Sequence, residues 1–170
     1  MKQLLSSTAA GDLYNLTAFS MCAHNGTHID APFHFLPEGK TVERLPLDVF
    51  VGDCFVARYQ GDVTAEDART ILVKAAGAER ILIAGDVTVT EEAAQVFARS
   101  GIKLLGNEGQ SVGPADAPMA VHKILLSREI VLLEGILLSD VPEGFYFLSA
   151  VPLNLAGADG APCRAYLIGA

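Results

Sequence analysis

Residues 24–34 read His24-Asn25-Gly26-Thr27-His28-Ile29-Asp30-Ala31-Pro32-Phe33-His34, and the conformation this stretch takes decides how the rest of the chain is read. The chain has four histidines, and three of them stand in these eleven residues with Asp30 among them. Imidazole nitrogen together with hard carboxylate oxygen is a donor set that transition metals select. A helix would put His24 and His28 on one face, four residues apart, but Asn25-Gly26, β-branched Thr27 and Pro32 all oppose a helix. In an extended chain the alternate residues His24, Gly26, His28, Asp30, Pro32 and His34 point to one side. Fully straight, His24 and His28 would lie about 13 Å apart at roughly 3.3 Å per residue, too far to share an ion. The chain must bend between them, and Gly26 is the residue that allows it. His28 and Asp30 can then ligate from one face of a short extended piece. Pro32 forbids ladder pairing, so His34 falls where the segment leaves the sheet. A single histidine is ordinarily solvated or satisfied by common hydrogen bonds; three with a carboxylate around a bendable glycine point to a metal.

Outward from this stretch, strands and helices alternate. Leu13 to Ala23 is rich in β-formers and reads as a strand, and Cys54 to Tyr59 as a second, closed by the turn residues Gln60-Gly61-Asp62. Thr64 opens a helix with Glu66 and Asp67 in its first turn and Gly77 near its end. Arg80 to Ala84 is a short apolar strand. Thr90, followed by Glu91-Glu92, caps a second helix expected to stop at Gly101. Ile102 to Leu105 is a strand, residues 106 to 118 a Gly- and Pro-rich loop, Met119 to Arg128 a helix and Ile130 to Leu133 a strand. Two more strands follow, Phe145 to Val151 and Arg164 to Ile168. With no internal repeat and no linker, residues 1–170 read as a single α/β domain with strands in excess of helices.

Composition narrows the function. An apolar fraction of 51% is high for a chain of 170 residues, as is the mean hydropathy of +0.35. No apolar run reaches the roughly 20 residues that span a bilayer, so a buried sheet plus a homo-oligomer interface, dimer or tetramer, is the expected use of the excess. The N-terminus has too short an apolar stretch for a signal peptide. Cys22, Cys54 and Cys163 are odd in number and widely spaced, which suits reduced thiols and a cytoplasmic location. The net charge of −8, with no basic patch, argues against nucleic-acid partners. Cys22, two residues before His24, reads as a small apolar filler rather than a ligand. Gly85-Asp86 and the Gly-rich loop lack the Gly-Lys-Ser/Thr ending of a phosphate loop. Asp12, Glu66 and Glu91 read as surface or helix-start acids.

HNGTHIDAPFH also resembles H-x-G-T-H-x-D-x-P-x-H, the signature of the kynurenine formamidase / cyclase family of metal-dependent hydrolases, which includes isatin hydrolases. Every specified position is present. Pro118 to Leu126, around His122, is similar to that family's second histidine segment, Ile130 to Glu134 to its strand ending in a metal-binding glutamate, and Asp159-Gly160-Ala161-Pro162-Cys163-Arg164-Ala165 to its closing D-G-x-P-x-R-A run. The resemblance implies a layered β/β/α domain of the swivelling, cyclase-like type. It implies two divalent ions, one held by His24, His28 and Asp30, the other by Asp30 as a bridge with His122 and Glu134; the donor set suits zinc or manganese, and affinity alone favours zinc. His34 would be the proton shuttle. The implied reaction is hydrolysis of a small amide, formamide or cyclic amide, such as N-formylkynurenine to kynurenine and formate. A cyclase or dehydratase-type enzyme, or a metal-binding chain without turnover, are the alternatives.

The chain departs from the family pattern in two regions. The usual N-terminal segment with its D-L-[ST] strand and aromatic residues is lacking, and there is no tryptophan. Where the family shows G-x-D-x-x-S-x-D, this chain has Gly106 to Gly113, with Glu108 keeping the first acid in kind. The substrate-binding residues are therefore left open, Glu108 being the one candidate.

Overall fold

The computed structural model describes residues 1–169. At its centre four parallel strands, β4 (Val51–Arg58), β6 (Arg80–Ala84), β8 (Leu104–Asn107) and β9 (Val131–Glu134), are connected through α1 (Ala65–Ala75), α2 (Glu91–Phe97) and α3 (Met119–Leu126). A parallel pair needs a crossover of this kind, and a helix is the usual one. Antiparallel strands extend the sheet at both ends to the order β11-β3-β9-β8-β6-β4-β10-β12, where β3 is His28–Asp30, β10 Gly144–Ser149, β11 Gly160–Pro162 and β12 Tyr166–Ile168. Two small ribbons stand apart from it, β1 (Lys2–Ser6) with β2 (Leu16–Phe19), and β5 (Gly61–Val63) with β7 (Val87–Val89).

The sheet is buried on both faces, as its near-continuous Arg80-Ile-Leu-Ile-Ala84 strand requires. On one face the three helices pack Ala68, Ile71, Ala93, Phe97, Val121 and Leu125 onto Ile81, Ile83, Leu105 and Leu132. On the other, Val42, Leu45, Val49 and Phe50 from the segment before β4 cover Val56, Leu82, Leu104 and Leu133. Leu148 of β10 and Ala161 of β11, from opposite ends of the sheet, join this second core, and an isolated bridge links Pro152 to Cys163. The sheet is therefore curled, its ends drawn together on the face away from the helices. The architecture is α/β with more strand than helix, as the sequence implies.

Local chemistry explains most boundaries. Thr64 and Asp67 cap α1 reciprocally: Thr64 Oγ1 accepts the Asp67 N–H at 3.3 Å, and the Asp67 carboxylate accepts the Thr64 N–H at 2.9 Å. Helix α2 ends at Phe97 rather than at Gly101, because the N–H groups of Arg99 and Ser100 turn to the carbonyls three residues back and Ser100 Oγ also donates to Phe97 O. Only Leu16–Phe19 of the expected Leu13–Ala23 strand is strand, and its partner is β1, which the sequence does not announce. The strand expected at Ile102 begins at Leu104, in register with Arg80 of β6.

Candidate metal centre

Strand β3 is only three residues long, yet it presents His28 and Asp30 to the helix face and sends Ile29, fully buried, into the opposite core. Its neighbour β9 sets Glu134 opposite His28. Helix α3 brings in His122 from the covering layer. Gly26, at φ +67°, turns the chain ahead of β3, so the His24 and His28 rings lie 5.1 Å apart instead of at opposite ends of a straight strand. Gly135 (φ +65°) must also be glycine here, since a Cβ on it would stand 2.5 Å from Gly26 O. After Pro32 a single turn of 3-10 helix carries His34 back to stack on His24, ring centroids 3.9 Å apart.

The structure thus brings His24, His28, Asp30, His34, His122 and Glu134 to one place, with Asp30 at its middle. Asp30 Oδ1 lies 2.7 Å from His24 Nδ1 and 3.3 Å from His28 Nε2; Oδ2 lies 3.5 Å from His122 Nε2 and 4.0 Å from His34 Nε2. Glu134 reaches both buried imidazoles, Oε2 at 3.5 Å from His28 Nε2 and Oε1 at 3.3 Å from His122 Nε2. The family resemblance implies that Glu134 shares an ion with His122; the geometry sets it equally against His28. Oε1 is held in turn by the Val112 N–H at 2.8 Å. His28, Asp30, His122 and Glu134 are buried, whereas His24, His34 and Asp159 are partly exposed, so the centre opens to solvent on their side.

Three observations fit this set to a cation. Asp30 Oδ2 is buried and has no hydrogen-bond partner, a costly condition that an ion would relieve. His28 and His122 each donate Nδ1–H to a backbone carbonyl, of Gly26 and Pro118, both at 2.8 Å, which leaves the Nε2 lone pairs facing inward. The 3.3–3.5 Å gaps between those nitrogens and the carboxylate oxygens are long for charge-assisted hydrogen bonds, but donors about 2.1 Å from a tetrahedral ion lie roughly 3.4 Å apart.

Without an ion, protons balance the carboxylates. Burial disfavours the charged imidazoles, but contacts with Asp30 and Glu134 outweigh it, and the pKa rises to about 10 at His28 and about 9 at His122. His24 is raised as well, burial again being overcome by Asp30 and then Asp159. Burial pushes the Asp30 carboxyl up, yet its contacts with His122, His24 and His28 hold it well below the usual carboxylate range.

Sequence reasoning gave no role to Asp159, whose Oδ2 lies 3.0 Å from both His24 Nε2 and His34 Nδ1. Its only signal was the D-G-x-P run that it opens. The Glu108 carboxylate accepts the Gly85 N–H at 2.6 Å and the Leu138 N–H at 2.8 Å, tying together the loops that follow β6, β8 and β9. Removing two charge-assisted bonds of this kind costs about 2–4 kcal/mol. Glu108→Ala is expected to lose that much in urea unfolding while its metal content stays at the wild-type value. Unchanged stability with weakened substrate binding would return Glu108 to the substrate.

The chain is similar to known proteins in both sequence and fold. Residues 3–114 match the model of the family described as "Putative cyclase". A kynurenine formamidase from Erythrobacter litoralis is 33% identical over 92% of this chain and 78% of its own length, and one from Salinibacter ruber is 35% identical over 90% and 79%. Among solved structures, a potential metal-dependent hydrolase with cyclase activity superposes with a TM-score of 0.83 at 30% identity, covering 98% of this chain and 85% of the other. Isatin hydrolase A from Labrenzia aggregata, at 20% identity, shares the fold with a TM-score of 0.84 over 99% and 82%.

Proposed function

The chain belongs to the cyclase family that includes the kynurenine formamidases, and from that premise we propose that it hydrolyses a small amide, formamide or cyclic amide at a divalent-metal centre, N-formylkynurenine being the first substrate to try. The observation that carries the proposal is the buried Asp30, ringed by imidazoles whose far nitrogens are already engaged, with one oxygen left unpartnered. We assign His24, His28, Asp30, His122 and Glu134 as metal-holding residues, Asp30 being shared between two ions. Zinc is the first candidate and manganese the second, since affinity at such a donor set favours zinc.

Bound divalent cations supply Lewis acidity, which lowers the pKa of water and polarises a carbonyl oxygen. The residues do the rest. His28 and His122, fixed through Nδ1, cannot rotate away from Asp30 and Glu134. His34, at the open side, takes a proton from the attacking water through Nε2 and returns it to the departing amine nitrogen as the C–N bond breaks. Imidazole suits both transfers because it titrates near neutrality. The products are a carboxylate and an amine. No distance in the site favours a dehydratase-type reaction or a chain without turnover.

Metal content per chain, paired with N-formylkynurenine hydrolysis before and after chelation, tests the reading. Bound zinc or manganese with chelator-sensitive activity supports it; protein that takes up no divalent metal on titration ends it. A pH dependence follows. Cations must displace the protons on His24, His28 and His122, so affinity is expected to rise with pH, with roughly two to three protons released per chain loaded near pH 7.5, measurable by calorimetry in buffers of different ionisation enthalpy. The metal-free protein has the opposite trend in stability. Its raised histidine pKa values stabilise it fully below pH 6.5, the ordinary value of an imidazole, and that contribution fades as pH rises through about 9 and 10. Its melting temperature should therefore fall between pH 7 and pH 10.

We further propose a single cytoplasmic domain that works as a homo-oligomer, a dimer or tetramer. The β1–β2 hairpin supports a second copy, since it exposes Leu4, Leu5, Leu13, Tyr14, Leu16 and Phe19 and packs little against the rest of the chain. No helix among the described residues is long and apolar enough to cross a membrane.

A further inference from the structure

The imidazoles that face Asp30 are not held alike from behind. His28 and His122 each give Nδ1–H to a backbone carbonyl at 2.8 Å. His24 instead turns Nδ1 inward, 2.7 Å from Asp30 Oδ1, and its outward Nε2 meets a side chain, Asp159 Oδ2, at 3.0 Å. That same oxygen lies 3.0 Å from His34 Nδ1, which leaves His34 Nε2 directed at Asp30 Oδ2, 4.0 Å away. Two rings stacked 3.9 Å apart are therefore tied to one carboxylate oxygen.

The backbone is built to put it there. Asp159 directly precedes β11, Gly160 pairs with Asp30 across the β11–β3 ladder, and Asp159 O accepts the Ala31 N–H at 2.9 Å. Gly160 lets the His24 ring lie against this strand: a Cβ at residue 160 would stand 2.6 Å from His24 Cε1 and 2.6 Å from Ile29 O. The edge strand is thus shaped around His24 as closely as β3 is shaped around the metal-facing side chains.

We propose that Asp159 is a positioning residue for both functions of the centre, orienting His24 to hold metal through Nδ1 and holding His34 as the tautomer that moves protons through Nε2. This rests on the metal-hydrolase reading above. A carboxylate behind a ligating imidazole fixes the ring and strengthens it as a donor. By accepting Nδ1–H from His34, the same oxygen reserves the other nitrogen of that ring for the substrate side. Because one oxygen serves both rings, neither can rotate without disturbing the other's anchor.

Asp159→Asn keeps the size and one neutral acceptor; Asp159→Ala removes the acceptor. Both are compared with wild type by zinc titration of the metal-free protein against a chromophoric chelator, by ¹H–¹⁵N NMR of the imidazole rings, by steady-state kinetics and by thermal unfolding. Zinc affinity at one site is expected to fall about 10- to 100-fold, with the other site unaffected. The His34 ring is expected to change from one tautomer to a mixture, and kcat to fall while KM holds, with Asn milder than Ala on each measure. Zinc affinity and His34 ring spectra identical to wild type in Asp159→Ala would overturn the proposal. So would a change confined to melting temperature, which marks a structural role only. If the wild-type protein itself takes up neither zinc nor manganese, the metal reading fails on its own account. The ring spectra of metal-free wild type and Asp159→Ala then still decide whether Asp159 holds His34.

Discussion

Asp30→Asn is expected to lower hydrolysis about a thousandfold or more and to reduce bound metal from roughly two ions per chain to one or none, because a metal acting as Lewis acid supplies several kcal/mol of the barrier reduction and about 4 kcal/mol corresponds to a thousandfold. The reason lies in how much converges on this side chain. Both oxygens are buried, one beside His24 and His28, the other facing His122 and His34. Asparagine has nearly the same shape, so the β3 backbone need not move, but it brings one neutral oxygen and an NH₂ group that points donors at ring nitrogens meant to be acceptors. Stability should respond differently with and without metal. In the metal-free wild type, Asp30 balances protonated His28 and His122; in the variant those rings can shed their protons, which limits the loss to less than the 3–5 kcal/mol typical of stranding a buried charge. Metal analysis, N-formylkynurenine turnover and thermal melts with and without chelator check this together. A variant that keeps two ions and more than a tenth of the wild-type rate would remove Asp30 from the centre.

How much of this was legible in the sequence depended on whether the cause was local. The Arg80–Ala84 strand is read to the residue because five buried positions in a row leave no other use for RILIA. The start of α1 is read equally well, since Thr64 and Asp67 carry their own capping bonds. Strands β5, β7 and β11 are three residues each and exist only through their partners, so no periodicity marks them. Strand β1 escapes for a related reason, and the bounds of β2 are overrun: the hairpin is exposed on nearly every residue and has no inward and outward faces for an alternating pattern to record. The site divides in the same way. His24, His28, Asp30 and His34 sit in one stretch whose glycine and proline forbid a helix, so their proximity can be argued from the chain alone. That Glu134 stands against His28 as well as His122 follows from the β3–β9 register, which sequence spacing does not contain. Asp159 is 125 residues from His34 and arrives only because β11 pairs with β3.

His34→Ala is expected to lower turnover of an amide by about 10²–10⁴-fold, the usual contribution of a positioned acid–base group, while the metal content stays at the wild-type value. The geometry poses this as a real alternative to ligation, because His24, Asp30 and His34 offer donor atoms within 4.8 Å of one another. Two features favour the proton role. His34 Nε2 stands 4.0 Å from Asp30 Oδ2, the longest of the imidazole–carboxylate separations around Asp30, and its ring lies at the open side, where substrate must approach. The chemistry gives a sharper discriminator than rate alone. An amine leaves only if its nitrogen is protonated as the C–N bond breaks, whereas the stabilised phenoxide of an activated aryl ester needs no such help. The variant should therefore lose much less on an activated ester than on an amide, and exogenous imidazole should restore part of the amide rate through the space the ring vacates. Equal losses on both substrates, accompanied by a lost ion, would make His34 a ligand instead of a shuttle.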